Sequence, residues 1–324
     1  MPKKNQLRRQ WIFVSFLSIV FLMTIVVIYL GATLFRDQLP FFQLIDTENT
    51  EVTQNLPEPA PNPGVEDIDP DAGVRLYMVL GSDFRPQSGF RTDTIILVAV
   101  DSRSGDVSLV SFPRDLWISI PDHGEGRINT AMQLGGFSLL SQAMQTNFGV
   151  FPTQYAMINM EGFLSVIDAL GGITIETDAY TADSCETSLD PDGWCEIGPG
   201  TVSMNSELAL WYVRARYNSS DFDRMRRTQE VIRGVVDKAA SPAGLLKTPR
   251  LLEIYESEVE SNVTPSEALS LMRWAISQNS GSQIRRFSIG PNEVTSWTTP
   301  GGAAVLLPNS AAIQMILKEA LTFE

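Results

Sequence analysis

The chain has 324 residues, 44% of them hydrophobic, and a net charge of −14. That length allows one large domain or two small ones with a real core. The acidic balance weighs against polyanion binding by the surface as a whole, and no nucleic-acid motif is present.

The charge is unevenly placed. Residues 1–10 hold Lys3, Lys4, Arg8 and Arg9 and no acid, and residues 11–35 carry no charge and are dense in Val, Ile, Leu and Phe. Roughly 25 helical residues span about 37 Å, enough to cross a bilayer with some tilt. The basic leader predicts a cytoplasmic N-terminus. No small-residue cleavage site follows, so the expectation is a retained single-pass anchor with an extracytoplasmic remainder. Residues 36–73 are acidic and contain PEPAPNPG. Proline and like charge predict an extended linker.

The folded part is expected from residue 74. Residues 75–80, 93–101 and 107–112 read as strands, the second nearly continuously apolar, as a strand covered on both faces should be. Ser-Gly-Asp within 102–106 signals a hairpin turn. A run to Ile120 and a polar turn, PDHGEGR, follow. Helices are predicted over 129–148 and 161–170, the latter ending at Gly171-Gly172, with strands at 153–160 and 173–177. After a loop bearing both cysteines, a helix is predicted over 205–213. Another runs from an expected N-cap at Asp221 through Lys238. Ser241-Pro242 interrupts the pattern. Beyond it the sequence predicts helix in two pieces over 245–277, a strand at 284–289 and a closing helix over 309–321. Alternating strands and helices indicate an α/β fold, a three-layer α-β-α sandwich with a mixed central sheet. Residues 74–240 form the expected catalytic domain and 241–324 an α/β annex.

Cys185 and Cys195 are the chain's two cysteines. In an oxidising compartment such a pair closes a loop; two free thiols are the alternative, and no neighbouring histidine supports a metal site. Asp83 and Asp93 lie between or beside strands, where they either converge on a cation or serve as turn and cap residues. No lysine occurs between Lys4 and Lys238. The cations there are arginines, whose planar fork binds phosphate oxygens in pairs. Arg91 and Arg114 flank the acids, and Arg127 follows a glycine turn. Arg214 and Arg216 share a face if the chain is extended there, and Arg224, Arg226 and Arg227 open a helix, where anions are favoured. The alternative is a set of surface arginines paired with acids. His123 falls in a polar turn, which leaves no basis for a Ser/His triad.

These residues fall into ordered motifs: GSD (81–83), RTDT (91–94), SFPRD (111–115), RINTA (127–131), NMEGFLSVIDALGGI (159–173), LALWYVRARY (208–217) and DFDRMRRTQEVI (221–232). In that order they resemble the LytR-CpsA-Psr family over residues 75–238. The resemblance implies a membrane-anchored, Mg²⁺-dependent phosphotransferase, with Mn²⁺ as a substitute ion. It would move a glycopolymer from a polyprenyl pyrophosphate carrier to peptidoglycan or another envelope glycan through a phosphodiester. It further implies that Asp83 and Asp93 hold the metal, that Arg91, Arg114, Arg214, Arg216 and Arg224 hold the pyrophosphate, and that Arg127 stands in place of a lysine. Asp93, Arg91 and Arg114 are the expected catalytic set. The family has Gln where this chain has Thr228, and Gln229 follows. Hydrolysis of the same carrier, or non-catalytic capture of an envelope glycan or lipid, are the competing readings.

Overall fold

The computed structural model describes residues 62, 64–71, 73–85, 89–217, 219–277 and 284–323. The expected leader, the anchor at 11–35 and most of the linker lie outside the described residues. Among the described residues no helix is long and apolar enough to cross a membrane.

The centre is a six-stranded mixed sheet in the order β11-β6-β1-β2-β3-β12. Its middle is a long antiparallel hairpin, β1 (Val74–Arg85) and β2 (Gly89–Asp101), followed by β3 (Val107–Phe112). β6 (Gln154–Ile158) lies parallel to β1, and β12 (Ile284–Ser288) parallel to β3. Strand alternation divides the side chains between two faces. Leu76, Met78, Leu80, Ile95, Leu97, Val110 and Phe112 point to one core, under α1 (Ala131–Phe148) and α8 (Ser310–Leu321). The opposite face carries α2 (Met160–Leu170), α3 (Ser206–Arg214) and α4 (Asp221–Ala240). There Ile167, Trp211, Tyr212 and Val231 pack with β7 (Ile173–Thr177) and β9 (Trp194–Ile197). Helices thus cover both faces of the mixed sheet.

Several boundaries differ from the sequence expectation. The polar corners after residue 80 and before residue 93 continue the hairpin, with Asp83 opposite Arg91. The polar turn after Ile120 contains β5 (Gly124–Arg127), which pairs with β4 (Trp117–Ile120). Helix α1 breaks at Gly135 and Gly136, the latter at φ 66°, where a side chain would be strained. Helix α4 is capped by Ser220, not Asp221: Ser220 Oγ accepts from the Asp223 N–H at 3.1 Å and Asp223 Oδ2 accepts from the Ser220 N–H at 2.8 Å. The chain then forms α5 (Pro242–Leu245), α6 (Thr248–Glu258) and α7 (Pro265–Ser277). Between the last two, three residues form β11 (Val259–Ser261).

Residues 241–324 are built into the sheet. They supply both of its edges, β11 against β6 and β12 against β3. Their hairpin, β13 (Val294–Thr298) and β14 (Ala304–Pro308), meets the Asp115 corner, where the Leu306 N–H donates to the Asp115 carbonyl at 3.0 Å. The described end of the expected linker is also docked rather than extended. Ile68 packs on the first core, its N–H donates to the Gly149 carbonyl at 2.7 Å, and Gln314 Nε2 donates to the Glu66 carbonyl.

Candidate functional site

The β1–β2 hairpin carries a register shift between Gly81 and Ser82: Gly81 stands opposite Thr94, and Ser82 opposite Thr92. Asp93 is the extra residue of this β-bulge. Bulges bend a strand and re-aim a side chain, and this one places the Asp93 carboxylate at the head of an ion-pair network. Arg114 Nη1 lies 2.7 Å from Asp93 Oδ2, and Asn129 Nδ2 donates to Asp93 Oδ1 at 3.4 Å. Arg114 Nε also lies 3.5 Å from Asp115 and 3.6 Å from Asp221. Arg224 Nη2 reaches Asp221 Oδ1 at 2.7 Å and the Asp93 backbone carbonyl at 3.3 Å. Arg127 pairs with Asp115 at 3.0 Å and donates to the Ala304 carbonyl. The Pro113-Arg114-Asp115 corner, the bulge and the start of α4 are therefore held together by alternating charges.

Burial sets the electrostatics. It pushes the Asp221 carboxyl up, reinforced by the like charges of Asp115 and Asp93 and opposed by Arg224 and Arg114. Burial likewise lowers the Arg224 pKa, although Asp221 and Asp93 favour its charge. For Arg114 burial acts against the charge, but Asp93, Asp221 and Asp115 outweigh it and the pKa rises.

Beside this network lies a cavity of about 880 Å³. Asp83, Asp93, Arg214, Arg216, Arg224 and Thr228 line it. Phe163, Leu164, Leu189, Leu210 and Ile232 give it apolar walls. Thus α2 contributes to the apolar wall, whereas α1 does not: its apolar face is in the first core. The other contributors are α3, α4 and the cysteine loop.

Of the expected site residues, Arg91, Arg114, Arg127 and Gln229 are not on the cavity lining. Arg114 is behind Asp93, Arg127 braces Asp115 against β14, and Arg91 is the cross-strand neighbour of Asp83. Gln229 is turned away: it is 4% exposed and donates to Ser111 Oγ and the Phe287 carbonyl, both at 2.8 Å, fastening α4 to the sheet. Thr228 lines the cavity, with its hydroxyl donating to the Arg224 carbonyl at 2.9 Å. Arg214 is the last residue of α3 and is therefore helical, so the two arginines do not lie on one extended strand. Arg226 is paired with Glu230, and Arg227 is 1% exposed and donates to the Ala215 carbonyl. The helix start thus offers one arginine to the cavity.

The sequence reading missed the site role of Asp115 and Asp221. The signals were present: Asp221 lies three residues before Arg224, where helical side chains meet, and the Ser220–Asp223 capping box makes Asp221 the first helical residue. It also missed Asp183, on β8 (Thr181–Ser184). This carboxylate accepts from the backbone N–H groups of Arg216 and Tyr217 and fixes the arginine turn. Those hydrogen bonds hold the Asp183 pKa below the ordinary range, against the opposing effect of burial. The sulfurs of Cys185 and Cys195 form a disulfide that closes the loop after this strand.

The donor set suits a hard cation. Asp83 and Asp93 offer only oxygen, and among the described residues no group of three or more His, Cys, Asp and Glu side chains gathers. Mg²⁺ binds typically through one or two carboxylates, completing its shell with water and phosphate oxygens.

Comparison with known proteins agrees with this architecture. A sequence model of the LytR_cpsA_psr family matches residues 48–320. A polyisoprenyl-teichoic acid--peptidoglycan teichoic acid transferase TagU of Oceanobacillus iheyensis is 26% identical over 278 residues, covering 83% of this chain and 82% of that protein. The regulatory protein MsrR of Staphylococcus aureus is 30% identical over 197 residues, which is 60% of this chain and 58% of MsrR. A solved structure of TagT bound to LI-WTA superposes with a TM-score of 0.62 at 23% identity, covering 79% of this chain and 92% of that one.

Proposed function

The chain belongs to the LytR_cpsA_psr family, and on that premise we propose that it is a phosphotransferase acting on a polyprenyl pyrophosphate-linked glycopolymer, with peptidoglycan or another envelope glycan as acceptor. One observation carries the reading: a single cavity is lined by Arg214, Arg216 and Arg224, by Asp83 and Asp93 among its acids, and by the apolar side chains of Phe163, Leu164, Leu189, Leu210 and Ile232. That mixed lining matches a substrate with a charged pyrophosphate and a hydrocarbon tail. The names of the relatives point the same way. The charge-free stretch at 11–35 supports a membrane anchor that would keep the site beside a lipid carrier.

Phosphoryl transfer asks mainly for positioning and charge neutralisation. Arg214, Arg216 and Arg224 would bind the pyrophosphate oxygens. Arg114 pairs with the Asp93 carboxylate and aims it, with Asn129 on its second oxygen. Asp83 and Asp93 would hold Mg²⁺, which when bound neutralises phosphate charge. Asp93 would also orient the acceptor hydroxyl and take its proton. The new bond joins that hydroxyl oxygen to the glycan-bearing phosphorus, and the bond to the lipid phosphate breaks. Polyprenyl phosphate leaves.

The test is turnover of a polyprenyl pyrophosphate glycan by the full chain, with and without glycan acceptor and with and without Mg²⁺. Asp93→Asn and Arg214→Ala should lose transfer. Wild-type turnover in both variants would sink the site assignment. Equal product release without acceptor would indicate hydrolysis.

A further inference from the structure

Beside the cavity the protein displays aromatic rings for which the phosphate chemistry has no use. Tyr180, Trp194 and Tyr217 are 61%, 36% and 56% exposed, and the three converge on one hairpin. On β9, Trp194 and Glu196 alternate with buried Cys195 and Ile197, so both project from the solvent face. The Trp194 indole N–H donates to Glu196 Oε1 at 3.1 Å. The same carboxylate engages the Tyr180 hydroxyl and pushes its pKa up. Tyr217 stands edge-on to Trp194, with centroids 4.9 Å apart and planes at 83°. A perpendicular pair leaves ring face uncovered, and uncovered aromatic area in water is unfavourable.

The position joins these rings to the cavity. Ser184 pairs with Trp194 across the β8–β9 hairpin and lines the cavity, as does its neighbour Asp183. Asp183 also fastens the backbone of Arg216 and Tyr217, so one carboxylate positions an arginine of the cavity and a ring of the cluster. The Cys185–Cys195 disulfide ties the same hairpin. Rings held in place beforehand lose little entropy when a ligand arrives.

We propose that Trp194, Tyr217, Tyr180 and Glu196 form a saccharide subsite beside the cavity, next to Arg216. A neutral pyranose presents a C–H face and a rim of hydroxyls. The face stacks on the exposed rings, and Glu196 accepts from a hydroxyl. Glu196 and the −14 net charge disfavour an anionic polymer here. The rings of the cluster are exposed to solvent, unlike the apolar cavity wall that suits a hydrocarbon tail. The inference rests on the transferase reading for the source of the sugar, which is either the donor glycan or the acceptor.

The test uses the full chain and two probes: chitotetraose for a neutral acceptor-type glycan, and a short-prenyl pyrophosphate disaccharide for the donor. Saturable binding is followed by tryptophan fluorescence and calorimetry. Trp194→Ala, Tyr217→Ala and Glu196→Gln should each weaken glycan binding about tenfold, the loss of one stacking or hydrogen-bonding contact. Trp194→Phe, which keeps a ring, should retain most of it and reports an intact hairpin. An effect confined to chitotetraose assigns the subsite to the acceptor, and one confined to the donor probe assigns it to the donor. No saturable binding of either probe, or no effect of Trp194→Ala, overturns the subsite. Transfer measured on the same samples separates the two ideas: turnover that ignores these variants overturns the subsite alone, and glycan binding without turnover overturns the transferase alone.

Discussion

Arg224 and Arg227 lie three residues apart on one helix, and substituting each by methionine should produce opposite signatures. Arg227 is 1% exposed, with Nη2 donating to the Ala215 carbonyl and, at 3.3 Å, to Ser219 Oγ; its guanidinium lies 5.8 Å from the Tyr212 ring centroid. Arg227→Met removes the charged donor to the buried Ala215 carbonyl, which keeps only the Ser219 hydroxyl at 3.3 Å, a cost of roughly 1–3 kcal/mol, and loses a cation–π contact of about 1 kcal/mol. Relief of a desolvated charge offsets part of this, since burial already lowers the Arg227 pKa. The net is about 2–3 kcal/mol, or a fall in melting temperature of roughly 5–10 °C for a domain this large. Arg224→Met removes the 2.7 Å pair with Asp221, but Arg114 remains 3.6 Å from that carboxylate, and Arg224 stands among like charges. Its stability loss should be about 1 kcal/mol, the scale of a partly solvated ion pair. Its ligand loss should be large, about 3 kcal/mol or roughly a hundredfold in Kd for a short-prenyl pyrophosphate. Differential scanning calorimetry and calorimetric titration on the same samples check both. If Arg227→Met abolishes binding at unchanged melting temperature, or Arg224→Met binds like wild type, the division between a structural and a ligand-facing arginine is wrong.

Asp183→Asn should flatten the acid limb of the stability curve. The folded pKa is depressed, so the carboxylate contributes stability above its ordinary value near 4 and loses it as the pH falls toward the folded value; urea unfolding from pH 3 to 7 measures this. Reducing Cys185–Cys195, separated by ten positions, should cost about 3 kcal/mol by loop entropy, seen as a lower urea midpoint with dithiothreitol. Gly149→Ala should destabilise by about 2 kcal/mol or more. Gly149 has φ 74°, and a Cβ there would strike the Glu66 carbonyl, so proteolysis within residues 62–71 should also accelerate.

Much of the sheet was legible because its signals are local. The strands at 107–112 and 173–177 appear with the predicted bounds, each ended by turn chemistry. The hairpin beyond Leu80 was not: Gly81, Ser82 and Asp83 line the cavity, and a polar strand end reads as a corner. The bulge at Asp93 leaves no composition signal, since it is a matter of register. β11 is three residues inside a helical pattern, and only its pairing with β6 makes it a strand. The arginines could be found as residue types at spacings. Which of Arg224, Arg226, Arg227 and the neighbouring Gln229 faces the cavity depends on how α4 is rotated against the sheet, and that is fixed by distant partners such as Ser111, bound to Gln229, and Tyr212, bound to Glu230.

The site also explains how a chain of net charge −14 can hold a pyrophosphate. Its arginines fall into two sets. Arg114, Arg127 and Arg224 are interleaved with Asp93, Asp115 and Asp221, so their charges are largely balanced before any ligand arrives. Balanced pairs at 2.7–3.6 Å set geometry and attract little at a distance. Arg214 and Arg216 have no ion pair among the described residues and line the cavity, so they carry the uncompensated positive charge. Neither is held by a carboxylate on its own side chain; Asp183 positions the turn through backbone N–H groups instead, which leaves both guanidinium groups available. A carboxylate that instead gripped Arg216 directly would spend the charge that attracts the ligand. Backbone anchoring orders Arg216 without neutralising it, and with Arg214 it brings positive charge to a cavity of an otherwise acidic chain.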